Sequence, residues 1–598
     1  AAAAAATAVA ATTLGPATLA AQAVQYEVSV PSPGARLLVV KADFAAAGKD
    51  TLFVSLPAWS PGSYEIQNVA RYVRRFSATR RGGAELAWDR LDKDTWRIPT
   101  AGADHIAVEL ELIADTIDLA LPRITPDGGW FLGTNAFLFE EGQLSRPAEV
   151  RFTLPEGWRV TTALRSTGEG RYAAPDYHEL ADAVTFLGLH ALDSLQSDGK
   201  WVRIAVWPTD AYTPAVARNI RNSVSRLTQA QHRIFGGPPY DVYTVFFAVI
   251  REPLNFAGGL EHSYSHFNIM PDPAFADAAG NLGDFMNPLM SHEFFHMWNV
   301  KRIRPAELWP YDYRAEQFTP LLWWSEGVTD YYADLSNIRA GLWTERDFAA
   351  NVQSNAEQIE ALPLPWSVED GSLATWIHEV YINSSQLYYP KGSLLGLLLD
   401  VSIRDASDNA RSLDLVMRAL YDRFYRQNKG FRTGDLLALL REFGLPDVDG
   451  FYQKYINGRE PLPYEQVLPK AGFAVQRRTT TSPWLGVVTG ATGQGLMVTE
   501  VEPASPAAIA GVLPGDVLQR VGDVPVSIDA DWAAEFRRRY QGKTGQPLAV
   551  VVRRGGRPLT LNGEVRERSR TSIAISRAAT LTAKQARVWR GMTGAAGN

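Results

Sequence analysis

Hydrophobic periodicity changes character along this 598-residue chain, and the change confines it to a multidomain α+β fold. From Val24 to about Leu195 apolar residues recur at every second position, as in Tyr26–Val30, Leu52–Leu56 and Ile106–Leu112. Pro31-Ser32-Pro33-Gly34 and Thr125-Pro126-Asp127-Gly128-Gly129 separate such runs as turns. The pattern predicts an N-terminal β-sandwich-like domain over residues 24–195. Within it, Trp59-Ser60-Pro61-Gly62-Ser63-Tyr64 reads as a sharp turn whose two aromatics pack a corner. A second domain, 196–475, starts with the alternating run Trp201–Val206 and takes a helical period over 213–235. It adds the β-prone run Tyr240–Ile250 and is mostly helical from 284 to about 460. Arg477-Arg478 and Thr479-Thr480-Thr481-Ser482-Pro483 read as a linker, residues 482–566 as a compact β-rich unit, and 567–598 as a loosely held tail. Several domains also follow from length, since single cores stop growing at about 250–300 residues.

The chain has no cysteine, which removes disulfides, thiolate ligands and cysteine nucleophiles and leaves His, Asp and Glu for metal chemistry. Net charge is -6 with both signs interleaved, so nucleic acid is not an expected partner. Residues 1–23 are small and uncharged and end in Ala21-Gln22-Ala23, like the end of a secretory signal, which favours a periplasmic or secreted location over the cytoplasm. No other apolar run is long enough to cross a bilayer.

The chemistry concentrates at Asn287-Pro288-Leu289-Met290-Ser291-His292-Glu293-Phe294-Phe295-His296, with Asn287 as a cap candidate and Pro288 at the first helical position. Histidines four apart lie one turn above each other, so both imidazoles can reach one ion, and Glu293 beside them is placed to take a proton from the attacking water. A catalytic zinc wants a third protein ligand. Glu316, nineteen intervening residues after His296, has a thermolysin-like spacing but lies just before Pro320. Glu326, twenty-nine intervening residues after, opens an aromatic-rich helix in Trp323-Trp324-Ser325-Glu326-Gly327, with Asp330 one turn later on the same face. Asp330 could accept the other N–H of a ligand histidine, and this joint arrival favours Glu326, with Glu316 as the alternative.

His292 to Pro305, including His296-Met297-Trp298-Asn299-Val300-Lys301-Arg302-Ile303-Arg304-Pro305, resembles the glycyl aminopeptidase family, gluzincin zinc metallopeptidases with a C-terminal PDZ domain. Trp323–Gly327 and Trp59–Tyr64 are similar to that family's other signatures, and the resemblance covers nearly all of 24–565. It implies a thermolysin-like, mostly helical catalytic domain with one Zn2+, and removal of N-terminal glycine, then alanine. It also implies that Glu261, in Phe256-Ala257-Gly258-Gly259-Leu260-Glu261-His262, binds the substrate's free α-amine, with Gly258 and Gly259 allowing close approach of backbone to substrate. His262 and His266 are not expected to be ligands. In Tyr388-Tyr389-Pro390-Lys391-Gly392, ahead of the apolar helix from Ser393, Tyr389 takes the family's oxyanion-donor position and Tyr388 is the fallback.

Trp484-Leu485-Gly486-Val487, Gly495-Leu496-Met497-Val498 and Ser505–Leu518 look like a PDZ domain. Leu485, Gly486 and Val487 would offer N–H groups to the C-terminal carboxylate of a peptide partner. Two other readings compete: a zinc endopeptidase whose PDZ domain docks substrate, and a PDZ-led binding protein with an inactive peptidase domain.

Overall fold

The alternation of the first 190 residues is realised as three sheets. In the computed structural model, which describes residues 23–594 except 82, 169, 363–365 and 378–383, a seven-stranded sheet runs in the order Arg165–Gly168, Arg171–Ala174, Ala148–Thr153, Val24–Ser29, Leu37–Ala45, His105–Ile113 and Val73–Arg80. All but Ala23 of the signal-like segment 1–23 lies outside the described residues. Strand His105–Ile113 shows why the sheet forms: Ile106, Val108, Leu110 and Leu112 are buried, while Glu109 faces outward to Lys41 at 3.1 Å. Two four-stranded sheets complete the region, one built on Thr51–Ser55 and Thr95–Pro99, the other on Gly128–Leu132 and Val184–Gly188.

Next comes a five-stranded sheet in the order Ala191–Ser197, Lys200–Trp207, Val242–Ile250, Ser265–Pro271 and Gly258–His262, in which the three inner strands are parallel and both edge strands antiparallel. Beyond exposed Val242, strand Val242–Ile250 is covered on both faces, hence the consecutive apolar residues Val245–Ile250. Helix Pro214–Phe235 joins two of the parallel strands; Thr213 caps it, Pro214 sits in its first turn, and Gly236 at φ 83° ends it. Trp130, Phe186, Phe246, Leu260 and Phe267 share one core, so the N-terminal sheets and the central sheet pack together. The expected boundary at 195/196 falls inside strand Ala191–Ser197. Periodicity marks a strand but not the sheet that it joins.

Three helices carry the next functional segments: Met286–Phe295, Val328–Arg339 with a π-helical turn Trp323–Gly327 before it, and Ser385–Ser407. The third begins ahead of Tyr388 and Tyr389 rather than after them. Pro390 is tolerated inside it because the carbonyl it leaves unpaired belongs to exposed Gln386. Gly327 and Gly392 let the two elements cross backbone to backbone, and a Cβ on Gly327 would lie 2.5 Å from Gly392 Cα. No helix among the described residues is long and apolar enough to cross a membrane.

The chain divides into two units, 475–575 and the rest. Residues 475–575 hold the sheet Val487–Thr492, Gly495–Val501, Val517–Val521, Pro547–Arg554 and Arg557–Glu564, with Val524–Pro525 beside Val517–Val521. Leu485, Val498, Val521, Phe536, Val550 and Val552 form its core. The expected linker is a strand, Phe473–Trp484, paired with Arg566–Arg577 at the start of the expected tail. Thr479, Thr481, Ser569 and Thr571 bridge the two strands by side-chain hydrogen bonds, so the polar composition that suggested a linker belongs to a solvated two-stranded ribbon. The tail also ends in a helix, Ala583–Thr593, with a Thr582/Gln585 capping box. Its Trp589 is buried against Phe348 and Phe473, and its indole N–H donates to Glu345 at 2.6 Å. A few well-placed apolar residues outweigh a polar average.

Candidate active site

His292 and His296 leave helix Met286–Phe295 one turn apart, and their Nε2 atoms lie 2.8 Å from each other. The helix starts at Met286, so Asn287 is not its cap and Pro288 sits inside the first turn. Each imidazole is fixed through its other nitrogen. His292 Nδ1 is 2.7 Å from Asp330 Oδ1, and His296 Nδ1 donates to the Asn299 carbonyl at 2.6 Å. Asn299 is itself held, its Nδ2 donating to the Trp324 carbonyl at 2.8 Å.

Glu326 enters from the π-helical turn, 2% exposed, with Oε2 at 3.2 Å from His296 Nε2 and 3.6 Å from His292 Nε2. π-Helical turns of this kind re-aim one side chain within a helix. Glu316 is exposed in an irregular segment and takes no part in the cluster. Both Glu326 oxygens accept from tyrosines: Oε1 from Tyr64 at 2.7 Å and Oε2 from Tyr389 at 3.0 Å. Tyr389 therefore stands on the same side of the carboxylate as the imidazoles. Tyr388 turns away, its hydroxyl 3.2 Å from Thr375 Oγ1.

Tyr64 is where the composition-based reading of Trp59–Tyr64 as a packed corner falls short. Trp59 does pack, edge-on to Trp376 at 5.0 Å and donating to the Asp312 carbonyl. The turn nevertheless reaches the histidine cluster. Tyr64 adopts φ 47°, a left-handed conformation that costs an aromatic residue on the order of 1–3 kcal/mol. At Gly62, φ 108°, a Cβ would stand 2.5 Å from Glu261 Oε2. The sequence signal available was a glycine and a tyrosine in one tight turn, which says nothing about where the turn points.

Glu261 lies on edge strand Gly258–His262, 3% exposed, with Oε1 unpartnered among the described residues. Strand alternation puts Gly259 on the same face, and a Cβ there would lie 2.5 Å from Glu293 Cγ, so Gly259 makes room for Glu293. Gly258 faces the other way, toward Leu119. Glu261, Glu293 and His296 can bring one atom each within 4.8 Å of one another. Burial pushes the Glu293 carboxyl up to about 7 against the pull of His292 and His296, and the negative charges of Glu261 and Glu326 add to the rise. His262, one residue beyond Glu261, has its Nδ1 3.2 Å from Asp182. Asp182 also accepts from Ser263 N at 2.7 Å and pairs with buried Lys301 at 3.0 Å; although burial opposes ionisation, that cation and His262 hold its carboxyl far below the usual range. His266 lies behind, beside the Tyr243 hydroxyl at 3.2 Å. Asp182 and Lys301 had no signal in spacing, because they meet from distant segments, whereas Asn299 holds the His296 ring from only three residues away.

The donor set fits a divalent cation. A carbonyl cannot donate, so His296 Nδ1 carries the proton and its Nε2 presents a lone pair. Asp330 fixes the same tautomer at His292. Two lone-pair nitrogens thus face each other with a carboxylate oxygen alongside, an arrangement that a cation relieves and that matches the His/His/Glu preference of zinc.

Comparison with known proteins places these residues in context. Family models for the peptidase M61 N-terminal domain, the M61 glycyl aminopeptidase and the PDZ domain match residues 25–188, 286–395 and 480–565. The crystal structure of an aminopeptidase N family protein from Idiomarina loihiensis has the same fold, with TM-score 0.82 at 22% identity over 95% of this chain and 99% of that one. An M1 zinc metallopeptidase from Deinococcus radiodurans aligns with TM-score 0.47 at 15% identity over 74% of this chain and 95% of that one. The putative serine protease HhoB of Synechocystis is 38% identical over 65 residues, 11% of this chain and only 15% of the length of that protein.

Proposed function

The chain belongs to the M61 glycyl aminopeptidase family with a PDZ domain, and from that premise we propose that it is a zinc aminopeptidase releasing glycine, then alanine, from the N-termini of short peptides. The observation that carries this reading is Glu261: a buried carboxylate beside Glu293 and His296 whose Oε1 has no protein partner among the described residues. A substrate ammonium supplies that partner through a charge-assisted hydrogen bond and sets the scissile bond one residue from the amine. Gly62 touches the same carboxylate, so the Trp59–Tyr64 turn closes the space around the first residue and favours a small side chain.

His292, His296 and Glu326 would hold the zinc, which supplies Lewis acidity toward the scissile carbonyl and the attacking water. Glu293 takes the proton of that water and passes it to the departing amine. Tyr389 donates its O–H to the carbonyl oxygen as negative charge develops there, an interaction worth about 3–4 kcal/mol. Asp330 and the Asn299 carbonyl keep both imidazoles in the tautomer that leaves Nε2 free. In the C-terminal unit, Leu485, Gly486 and Val487 would receive peptide C-termini. Export to the periplasm is supported by the small uncharged segment ending at Ala23.

The deciding experiment compares glycyl, alanyl and leucyl p-nitroanilides with N-acetylglycyl p-nitroanilide, for the wild type and Glu261→Gln. The order Gly, Ala, Leu, loss of activity on acetylation, and a steep rise in KM for Glu261→Gln are expected. Equal cleavage of acetylated and free-amine substrates would remove the aminopeptidase reading and favour an endopeptidase.

A further inference from the structure

A cavity of about 560 Å³ lies at the Trp201 and Val242 end of the five-stranded sheet, on the face that packs against the N-terminal region, and includes none of the residues assigned above to zinc, substrate or proton transfer. Its floor follows from strand alternation. Along Lys200–Trp207, Val202, Ile204 and Val206 point to one face and are fully buried, so Trp201 and Arg203 share the other face with Ala205 and Trp207. The parallel neighbour aligns Val242 with Trp201 and Thr244 with Arg203. Trp201 and Val242 are 47% and 38% exposed, an unusual pair of large apolar side chains to leave side by side in water, and both line the cavity. Leu164 and Tyr172, from the N-terminal region, form the facing wall.

Arg203 is the polar feature of this floor. Its Nε donates to Thr244 Oγ1 at 3.0 Å and one Nη2 hydrogen to the Thr162 carbonyl at 2.8 Å. Its Nη1 has no partner among the described residues, and no carboxylate there forms an ion pair with it. Arg203 is half-buried and both of its bonds go to neutral acceptors, so its charge is left for an anion at the free edge of the guanidinium. Burial accordingly draws its pKa below the usual arginine value. Arg165 and two carboxylates, Glu179 and Asp241, also line the cavity, so its charges balance and a ligand with a single negative charge is accommodated. The volume falls within the 300–1,000 Å³ typical of small-molecule sites, and the lining joins aromatic and aliphatic side chains to a few charged and polar ones, as in such sites.

We propose that this cavity is a second ligand site, taking a small monocarboxylate with a flat apolar body: the carboxylate on Arg203 and the body between Trp201, Val242, Leu164 and Tyr172. The free edge of a guanidinium gives such an acid a two-pronged bond that an alcohol or amide does not reproduce.

The test is calorimetric titration of the metal-loaded full-length protein with 3-phenylpropionate, its catalytic site blocked by glycine hydroxamate. Saturable one-to-one binding is expected, about tenfold weaker for 3-phenylpropanamide and for Arg203→Met. Arg203→Met should keep the wild-type kcat/KM on glycyl p-nitroanilide, because Arg203 lies outside the catalytic machinery. Trp201→Ala, at the exposed mouth, is expected to weaken binding about fivefold and becomes the deciding variant if Arg203→Met does not fold. An acetylated tripeptide ending in phenylalanine carries the same carboxylate; competition by it extends the site to peptide C-termini, and failure to compete restricts it to free acids. No saturable binding, equal affinity for acid and amide, or affinity unchanged in the folded variants overturns the proposal.

Discussion

Gly259→Ala adds one methyl group to the enzyme and should remove most of its activity. Gly259 sits in an extended edge strand, outside the left-handed region, so alanine carries no backbone penalty there. The new Cβ would stand 2.5 Å from Glu293 Cγ, with Cδ and Oε1 nearer still. Ordinary contact begins at 3.4 Å, so the Glu293 side chain must give way by about 1 Å. Helix Met286–Phe295, which carries Glu293, is buried over most of its length and cannot follow. A misplacement of about 1 Å at a reacting group costs roughly 10²-fold in rate, or about 2.7 kcal/mol of barrier. The assay is kcat on glycyl p-nitroanilide, with zinc content by mass spectrometry and melting temperature alongside. The expected outcome is a kcat lowered about 100-fold with one zinc per chain retained. Gly258→Ala is the matched control: its Cβ meets only the flexible Leu119 Cδ1 at 3.2 Å, so near-wild-type kcat is expected. If Gly259→Ala kept kcat within about threefold of wild type, the claim that Glu293 works from this position would be refuted.

Three more perturbations probe other parts of the structure. Glu326→Ala should lose zinc on brief dialysis against a chelator whereas exposed Glu316→Ala keeps it; the reverse order of metal retention would exchange their roles. Asp182→Asn leaves Lys301, 1% exposed, without its counter-charge, and should lower unfolding free energy in urea by about 3–5 kcal/mol; a loss below about 1 kcal/mol would contradict the buried pairing. His190, buried with Nε2 on Thr161 Oγ1 and near Arg159, has its pKa lowered to about 4, chiefly by burial. The unfolded chain therefore binds the extra proton between about pH 6.5 and 4, and stability present above that window falls through it, as pH is lowered, by about 3 kcal/mol. His190→Gln should flatten that part of the stability profile, measured as the difference between the two proteins; superimposable profiles would exclude the linkage.

Local pattern was enough for elements whose residues read one another at short range. Strands His105–Ile113 and Val242–Ile250, helix Pro214–Phe235 and the His292/His296 pair follow from alternation, capping and one-turn spacing, all set within a dozen residues. The choice of Glu326 over Glu316 was half legible, because Asp330 travels with it on the same helix. Boundaries were less legible where composition averages over a few decisive contacts, as with Trp589 in the expected tail and the Thr-rich ribbon in the expected linker. What tertiary structure alone decided is the far side of the site. Tyr64 reaches Glu326 across 262 positions of sequence, and Gly62, in the same turn, meets Glu261 on the edge strand Gly258–His262. Such contacts depend on which faces of separate elements share a core, and a hydrophobic pattern specifies that a face is buried without specifying against what.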